Sequence, residues 1–360
     1  MQIVVAKNGK VIYDKVFGTQ DIKTKNNLEW DHLYDIASVT KVAASVPLIL
    51  KEFEAGKMSF DQTLGELDSS LKNTNKANLK VKEVLAHQSG LAPWIGFYKE
   101  TVNVKNARLY LDFYSRKQDE DHGIKVTDNI YAITSIKDSI YEDIAKSPLG
   151  KKVYEYSDLG YYIFQKKIES DYQKSYQELL QEKFYQPLGM YHTTYNPKER
   201  FELEMIVPTA YDKTYRNQLV HGFVHDQGAA MMGGIAGHAG LFSNAMDLAK
   251  LMQMYLNKGF YGGTQFIKPE ILDQFTAKQY SNSNRGAGFD KTLTKSIRGA
   301  SAEAYGHFGF TGTMVWVDPK HQLVYVLLSN RVNVSEENNL LSAKKVRENI
   351  LQTIYDSFLP

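Results

Sequence analysis

The sequence predicts an α+β protein in two lobes, with one antiparallel sheet built from both ends of the chain and a mostly helical insertion between them. Three observations carry this expectation. Strand-like apolar runs open the chain at residues 3–6 and 11–13. Two more close it at 314–317 and 323–328. Between about 60 and 235 the pattern is helical and loop-rich, with no obvious strand ladder.

Each element has a local cause. Asn8-Gly9 between two apolar runs is a hairpin turn signal. A helix is expected over 39–55, stopped by Gly56, with Pro47 predicting a kink or local break inside it. Residues 79–87 and 159–169 are the clearest helices of the middle region. A glycine-dense stretch from Gly228 to Gly240 precedes a helix near 246–255. The last two strands flank a turn at Asp318-Pro319-Lys320, and a helix over 339–355 ends the chain. The 360 residues are read as a single catalytic unit over 1–360. Its sheet lobe takes roughly 1–60 and 240–360, and its helical lobe 61–239.

Composition removes several function classes. Hydrophobic residues make up 43% and charged ones 23%, the balance of a folded chain rather than a disordered one. With no cysteine there is no thiol nucleophile, disulfide, Fe–S cluster or thiolate zinc site. A formal net charge of +2 supplies no field that points to nucleic acid. No apolar run is long enough to span a bilayer, and Lys7 and Lys10 interrupt any signal-peptide pattern. The 24 tyrosines suit a Tyr-lined cleft or a Tyr-rich surface, and the surface reading is preferred.

The first chemical element is Ser38-Val39-Thr40-Lys41 at the start of a helix. Spacing i, i+3 puts hydroxyl and ammonium on one face, where a lysine of lowered pKa could take the serine proton. Ser69–Lys72 and Ser342–Lys345 share the spacing, but one lies in a polar connector and the other in a charged terminal helix. Both are read as surface coincidences. Only Ser38 opens an apolar helix. The second element, Tyr156-Ser157-Asp158, heads the helix at 159; a phenol beside a lysine can share base duty, and Ser157 or Asp158 can cap that helix. The third, Gly306-His307-Phe308-Gly309-Phe310-Thr311-Gly312, puts glycines where either a ligand approaches the backbone or a bulge needs small residues.

In this order the three elements resemble the serine β-lactamase and penicillin-binding-protein superfamily, in particular its class C, D,D-peptidase and esterase-like branch. The resemblance covers essentially the whole chain. It extends to His87-Gln88-Ser89-Gly90-Leu91 and to His225-Asp226 followed by Gly233 through Ser243. This last stretch is similar to serine hydrolase domains of bacterial cell walls, some of them fused to N-acetylglucosaminidases. A β-lactamase/transpeptidase-like fold is implied. So is an acyl-enzyme formed at Ser38 from a β-lactam, a D-alanyl peptide or a related amide or ester. Lys41 would accept or relay the serine proton, and Tyr156 would act as base. His307 would stand where K-T-G relatives have lysine, assisting proton transfer or binding a substrate carboxylate. The backbone N–H groups of Ser38 and Phe310, next to Gly309, would form the oxyanion hole. The mechanism calls for no metal or cofactor. The expected partner is a small-molecule or peptidoglycan-derived substrate, not nucleic acid. The expected location is extracytoplasmic, periplasmic or cell-envelope, with Met1 a trimmed start and the chain part of a longer polypeptide.

Two departures from the family pattern bear on activity. Asp158 stands where Asn is usual, and a carboxylate near Lys41 favours the ammonium; this moves the expected base towards Tyr156. Phe308 replaces a hydroxyl residue that helps hold a substrate carboxylate, which disfavours β-lactams and suits an ester or bulky peptide. These departures motivate a second reading, a weak or silent relative that binds peptidoglycan or a partner. Among the other histidines, His87 is read as bracing the nucleophile helix, and His225 and His238 as structural hydrogen-bonding groups. His32, His122, His192, His221 and His321 lack ligand-like spacing.

Overall fold

The computed structural model describes residues 1–21, 25–333, 335–337 and 339–358. Its centre is a five-stranded antiparallel sheet. Two strands come from the N-terminus, β1 (Gln2–Lys7) and β2 (Lys10–Val16), and three from the C-terminus, β3 (Tyr305–Gly309), β4 (Thr313–Asp318) and β5 (Leu323–Leu328). They lie in the order β3-β4-β5-β1-β2. β1 pairs with β5 from Gln2 opposite Leu328 to Lys7 opposite Leu323, so the two chain ends close one sheet. The β1–β2 turn has Asn8 at φ 52° and Gly9 at φ 72°; only small or amide side chains take two consecutive left-handed residues readily.

Alternation decides what β1, β4 and β5 face. Val4, Ala6, Val315, Val317, Val324, Val326 and Leu328 join the main core. Their neighbours Ile3, Val5, Met314, Trp316, Leu323, Tyr325 and Leu327 form a second cluster with Leu351 and Tyr355 of the C-terminal helix. Tyr355 anchors that helix: its hydroxyl donates to Asp318 Oδ2 (2.6 Å) and accepts from Trp316 Nε1 (3.1 Å).

The principal helices are α1 (Val46–Glu54), α2 (Leu159–Tyr172), α3 (Ala245–Leu256) and α4 (Val346–Asp356). Three expectations need correction. The helix expected over 39–55 is composite: a 3₁₀ turn at Ala37–Val39, a π-helical turn at Lys41–Ser45, then α1. Pro47 sits in the first turn of α1 and lacks the N–H that would satisfy the preceding carbonyls. Tyr255 donates to the Val42 carbonyl (2.8 Å) and Tyr185 to that of Ala43 (3.0 Å) instead. The helix expected over 339–355 is broken at Lys345, whose φ of 49° separates Leu340–Ala343 from α4. The middle region does contain strands. Tyr114–Ser115, Ile124–Thr127 and Ile130–Ala132 form a small sheet too short to leave a clear alternation. Among the described residues no helix is long and apolar enough to cross a membrane.

One apolar cluster continues from the inner sheet face through α1 into the helical region, taking in Val4, Leu48, Leu50, Leu85, Phe164 and Leu248. Leu50 is fully buried. Leu50→Ala is expected to lower unfolding free energy by about 2–5 kcal/mol in urea titration. Activity is expected to fall only in proportion to the unfolded fraction.

Candidate active site

Ser38 is positioned by the short strand Tyr34–Asp35, which pairs with Phe242–Ser243. The Asp35 carboxylate is buried and accepts two backbone N–H groups, from Ala37 (2.8 Å, Oδ1) and from His225 (2.6 Å, Oδ2). Burial raises its pKa more than these bonds lower it. Ala37 is held at φ 47°, a left-handed conformation that costs a residue with a Cβ roughly 1–3 kcal/mol. Two hydroxyls beyond β3 tie the same loop to the sheet: Thr311 donates to the Asp35 carbonyl (2.7 Å) and Thr313 to that of Ile36 (2.9 Å). Gly309 permits this approach. A Cβ there would lie 2.5 Å from the Ile36 carbonyl and 2.0 Å from Thr313 Oγ1. The glycine thus lets β3 close on the Ser38 loop, and it also lines the cleft.

The 3₁₀ turn at Ser38 has three residues per turn, so Lys41 stands directly above the serine. Lys41 Nζ donates to Ser38 Oγ at 3.0 Å and to the His238 carbonyl at 3.1 Å, and forms an ion pair with Asp158 Oδ1 at 2.6 Å. Lys41 is fully buried. Burial opposes its charge, but Asp158, then Tyr156, outweigh it and hold its pKa above the ordinary value. Tyr156 lies with its ring 5.1 Å from Nζ, and its buried hydroxyl has no well-formed hydrogen bond. Burial raises its pKa; Lys41 only partly offsets this. Both side chains expected to receive the serine proton are thus held protonated at rest.

Asp158 occupies the N-cap position of α2 without capping it, its carboxylate being turned to Lys41. Ser157 Oγ accepts the Leu159 N–H instead (3.2 Å) and donates to the Ala92 carbonyl (2.6 Å). His87 corrects another reading: it braces this segment, not the nucleophile helix. Its Nδ1 accepts the Ser157 N–H (3.1 Å), and its ring lies 4.5 Å from that of Tyr156. Burial, with the positive charges of Arg285 and Lys41, keeps it neutral.

On β3, alternation sends His307 to the Tyr305 face and Phe308 to the opposite one, against Arg347, whose guanidinium lies 4.8 Å from its ring. His307 Nδ1–H donates to the Phe308 carbonyl (2.8 Å), leaving the Nε2 lone pair buried and without a partner. Burial, then the charges of Arg285 and Lys41, hold its pKa well below the ordinary value. A neutral imidazole brings no positive charge of its own to a carboxylate. A nearby cation is Arg285: it lines the same cleft, pairs with Asp290 at 2.9 Å and keeps a buried NH1 without a partner.

Ser38, Tyr156, Asp158, His307, Phe308, Gly309 and Phe310 all line a cleft of about 700 Å³. Among the described residues, neither the Ser38 nor the Phe310 N–H donates to a carbonyl of the surrounding loops. Arg285, Arg331 and Arg347 on this cleft were missed from sequence, where isolated arginines carry no spacing signal. Ser342, read as a surface coincidence, also lines the cleft. His238 donates from Nε2 to Asp226 (2.9 Å), and His225 Nε2 reaches Glu336 (2.7 Å). Among the described residues no three His, Asp or Glu side chains are grouped to hold a metal ion.

The fold and this cleft have known counterparts. The chain belongs to the beta-lactamase family, whose sequence model matches residues 1–346. A protein of Escherichia coli (strain K12) named as a candidate D-alanyl-D-alanine carboxypeptidase is 29% identical, aligned over 92% of this chain and 78% of its own length. The N-acetylmuramyl-L-alanine amidase of Bacillus subtilis (strain 168) is 28% identical, over 91% and 76%. Similar solved structures include a penicillin-binding protein homologue from Caulobacter crescentus (TM-score 0.66, 20% identity, 91% of this chain and 86% of that one). FmtA from Staphylococcus aureus matches at TM-score 0.64 and 20% identity, over 98% and 84%.

Gly309→Ala tests the approach of β3 to the serine loop. Labelling of Ser38 by a fluorophosphonate is expected to slow at least about tenfold, because the added Cβ displaces the loop that carries Ser38. Unchanged labelling in the folded variant would show that the loop does not depend on this contact.

Proposed function

We propose that the protein is an acyl-serine hydrolase that forms an ester at Ser38 with a β-lactam, a D-alanyl peptide or a related amide or ester of the bacterial cell wall, outside the cytoplasm. The observation that carries this reading is Lys41 Nζ 3.0 Å from Ser38 Oγ at the base of an open cleft. Relatives named as a carboxypeptidase and an amidase support hydrolysis of cell-wall amides. The unpaired NH1 of Arg285 supports recognition of a substrate carboxylate, the task His307 and Phe308 leave open.

In this reading the Ser38 Oγ–C bond forms as the bond from the acyl carbon to the leaving group breaks. The serine proton passes to Lys41 in its amine form. Tyr156, a phenol, gives a proton to the departing group and is reprotonated by Lys41, and water then cleaves the ester by the reverse route. The Ser38 and Phe310 N–H groups face the developing oxyanion; one such donor is worth about 3 kcal/mol. A silent peptidoglycan-binding or partner module is the second reading, favoured by the protonated resting state of both Lys41 and Tyr156.

A fluorescent penicillin and a fluorophosphonate, read by intact mass, separate the two. An adduct on the wild type that is lost in Ser38→Ala supports the hydrolase; no adduct with either probe supports the binding module. The pH profile adds a sign. Lys41 must lose a proton its surroundings hold above the ordinary range, so kcat/KM is expected to rise with pH into the alkaline region. Asp158→Asn removes the main raising charge and leaves burial, which lowers the pKa, so the rising limb is expected to move to lower pH. A limb that stays in place would exclude Lys41 as the group being titrated.

A further inference from the structure

The Lys41–Asp158 pair poses a problem that the substrate itself can solve. At rest Lys41 donates to Ser38 Oγ, the wrong polarity for a base, and Asp158 keeps it so. We infer that Asp158 is a specificity residue receiving an ammonium on the acyl portion of the substrate, and that the preferred substrates are aminoacyl esters or amides with a free amine beside the attacked carbonyl. The inference rests on the acyl-serine reading above.

Three observations support it. First, Asp158 offers acceptors only, where an amide side chain would offer donors as well. Its side chain is 16% exposed and lines the cleft. Second, it is separated from Ser38 Oγ by a single ammonium, which suits a cation one or two bonds from the acyl carbon. Third, the facing group on β3 is also an acceptor: His307 is 3% exposed and its Nε2 lone pair has no partner. Beside the arginines of the cleft, Asp158 and His307 are acceptors, and the buried His307 lone pair stays unmatched unless the ligand brings a donor.

A neutral N–H could bond to Asp158 but would leave its charge on Lys41. A cation neutralises it. The groups facing Lys41 are Asp158, Tyr156 and Tyr161, with the positive Arg285 and the neutral His87 and His307 at longer range. Once a substrate ammonium engages Asp158, burial and the like charge both favour the lysine amine. The released proton goes to bulk water through the open cleft. Ser38 O–H then donates to Nζ, the Oγ–C bond forms, the bond to the leaving group breaks, and that group departs with the serine's proton. The charge of the correct substrate thereby switches on the base.

The test compares D-alanine p-nitroanilide with its N-acetyl derivative at neutral pH, following p-nitroaniline release. Wild-type kcat/KM is expected to favour the free amine by roughly ten- to hundredfold, the worth of a charged hydrogen bond. The ratio is expected to fall to about one in Asp158→Asn and to keep its direction in Asp158→Glu, with folding of each checked by circular dichroism. Should Asp158→Asn not fold, the wild-type and Asp158→Glu ratios decide. Equal turnover of the two compounds by wild type, a preference for the acetylated one, or a preference that survives Asp158→Asn would overturn the inference. Fluorophosphonate labelling of Ser38 without any preference removes this inference alone; no labelling and no turnover of either compound removes the acyl-serine reading with it.

Discussion

The structure turns on a buried ion pair. Lys41 is fully excluded from solvent and Asp158 is half-buried at the cleft, and the 2.6 Å contact between them joins the Ser38–Lys41 segment to the head of α2. Burying two charges is costly, and their attraction offsets the cost only where the remaining hydrogen-bonding capacity is also met. Here the ammonium donates to the serine oxygen and the His238 carbonyl, and the carboxylate balances its charge. Removing either partner would leave an uncompensated charge in the interior. In the proposed reaction a lysine held as an ammonium cannot take the serine proton, so the ion pair and the proposed activity pull Lys41 in opposite directions.

Around that pair the chain spends its irregular backbone. The left-handed Ala37, the 3₁₀ turn at Ser38 and the π-helical turn after it are each less favourable than a regular helix. They persist because the surroundings specify them. Asp35 holds the Ala37 N–H, Thr311 and Thr313 hold the preceding carbonyls, and Tyr185 and Tyr255 occupy the carbonyls left free before Pro47. Part of the tyrosine content thus has a use that composition alone could not reveal: buried phenols satisfy backbone that no helix or strand satisfies.

Much of the architecture was legible in sequence because period and punctuation are local properties. The Asn8-Gly9 turn, the paired strands at the two ends and the helices of α2 and α3 all leave a pattern within a dozen residues. The order of S-x-x-K, Y-S-D and H-x-G was legible for the same reason. What escaped was set by contacts distant in sequence. Arg285 gives no signal in its own neighbourhood, yet it places a buried guanidinium beside Tyr156, the two being 5.5 Å apart. The role of His87 was misplaced because the turn it ends lies against the Tyr156 segment rather than the nucleophile helix. The two-residue strands of the helical region are too short to alternate, and the break at Lys345 comes from a backbone angle that lysine does not advertise.

By itself the sequence determined the residue types and their order: a serine three positions from a lysine, a tyrosine two positions before an aspartate, and strands at both ends that must find each other to bury their faces. Tertiary structure decided the charge states. Whether Lys41 is an amine or an ammonium, Tyr156 a phenol or a phenolate, His307 a cation or a free lone pair depends on burial and on neighbours more than a hundred residues away in the chain. Proton affinity follows the local field and solvent access, and both exist only once the chain has folded.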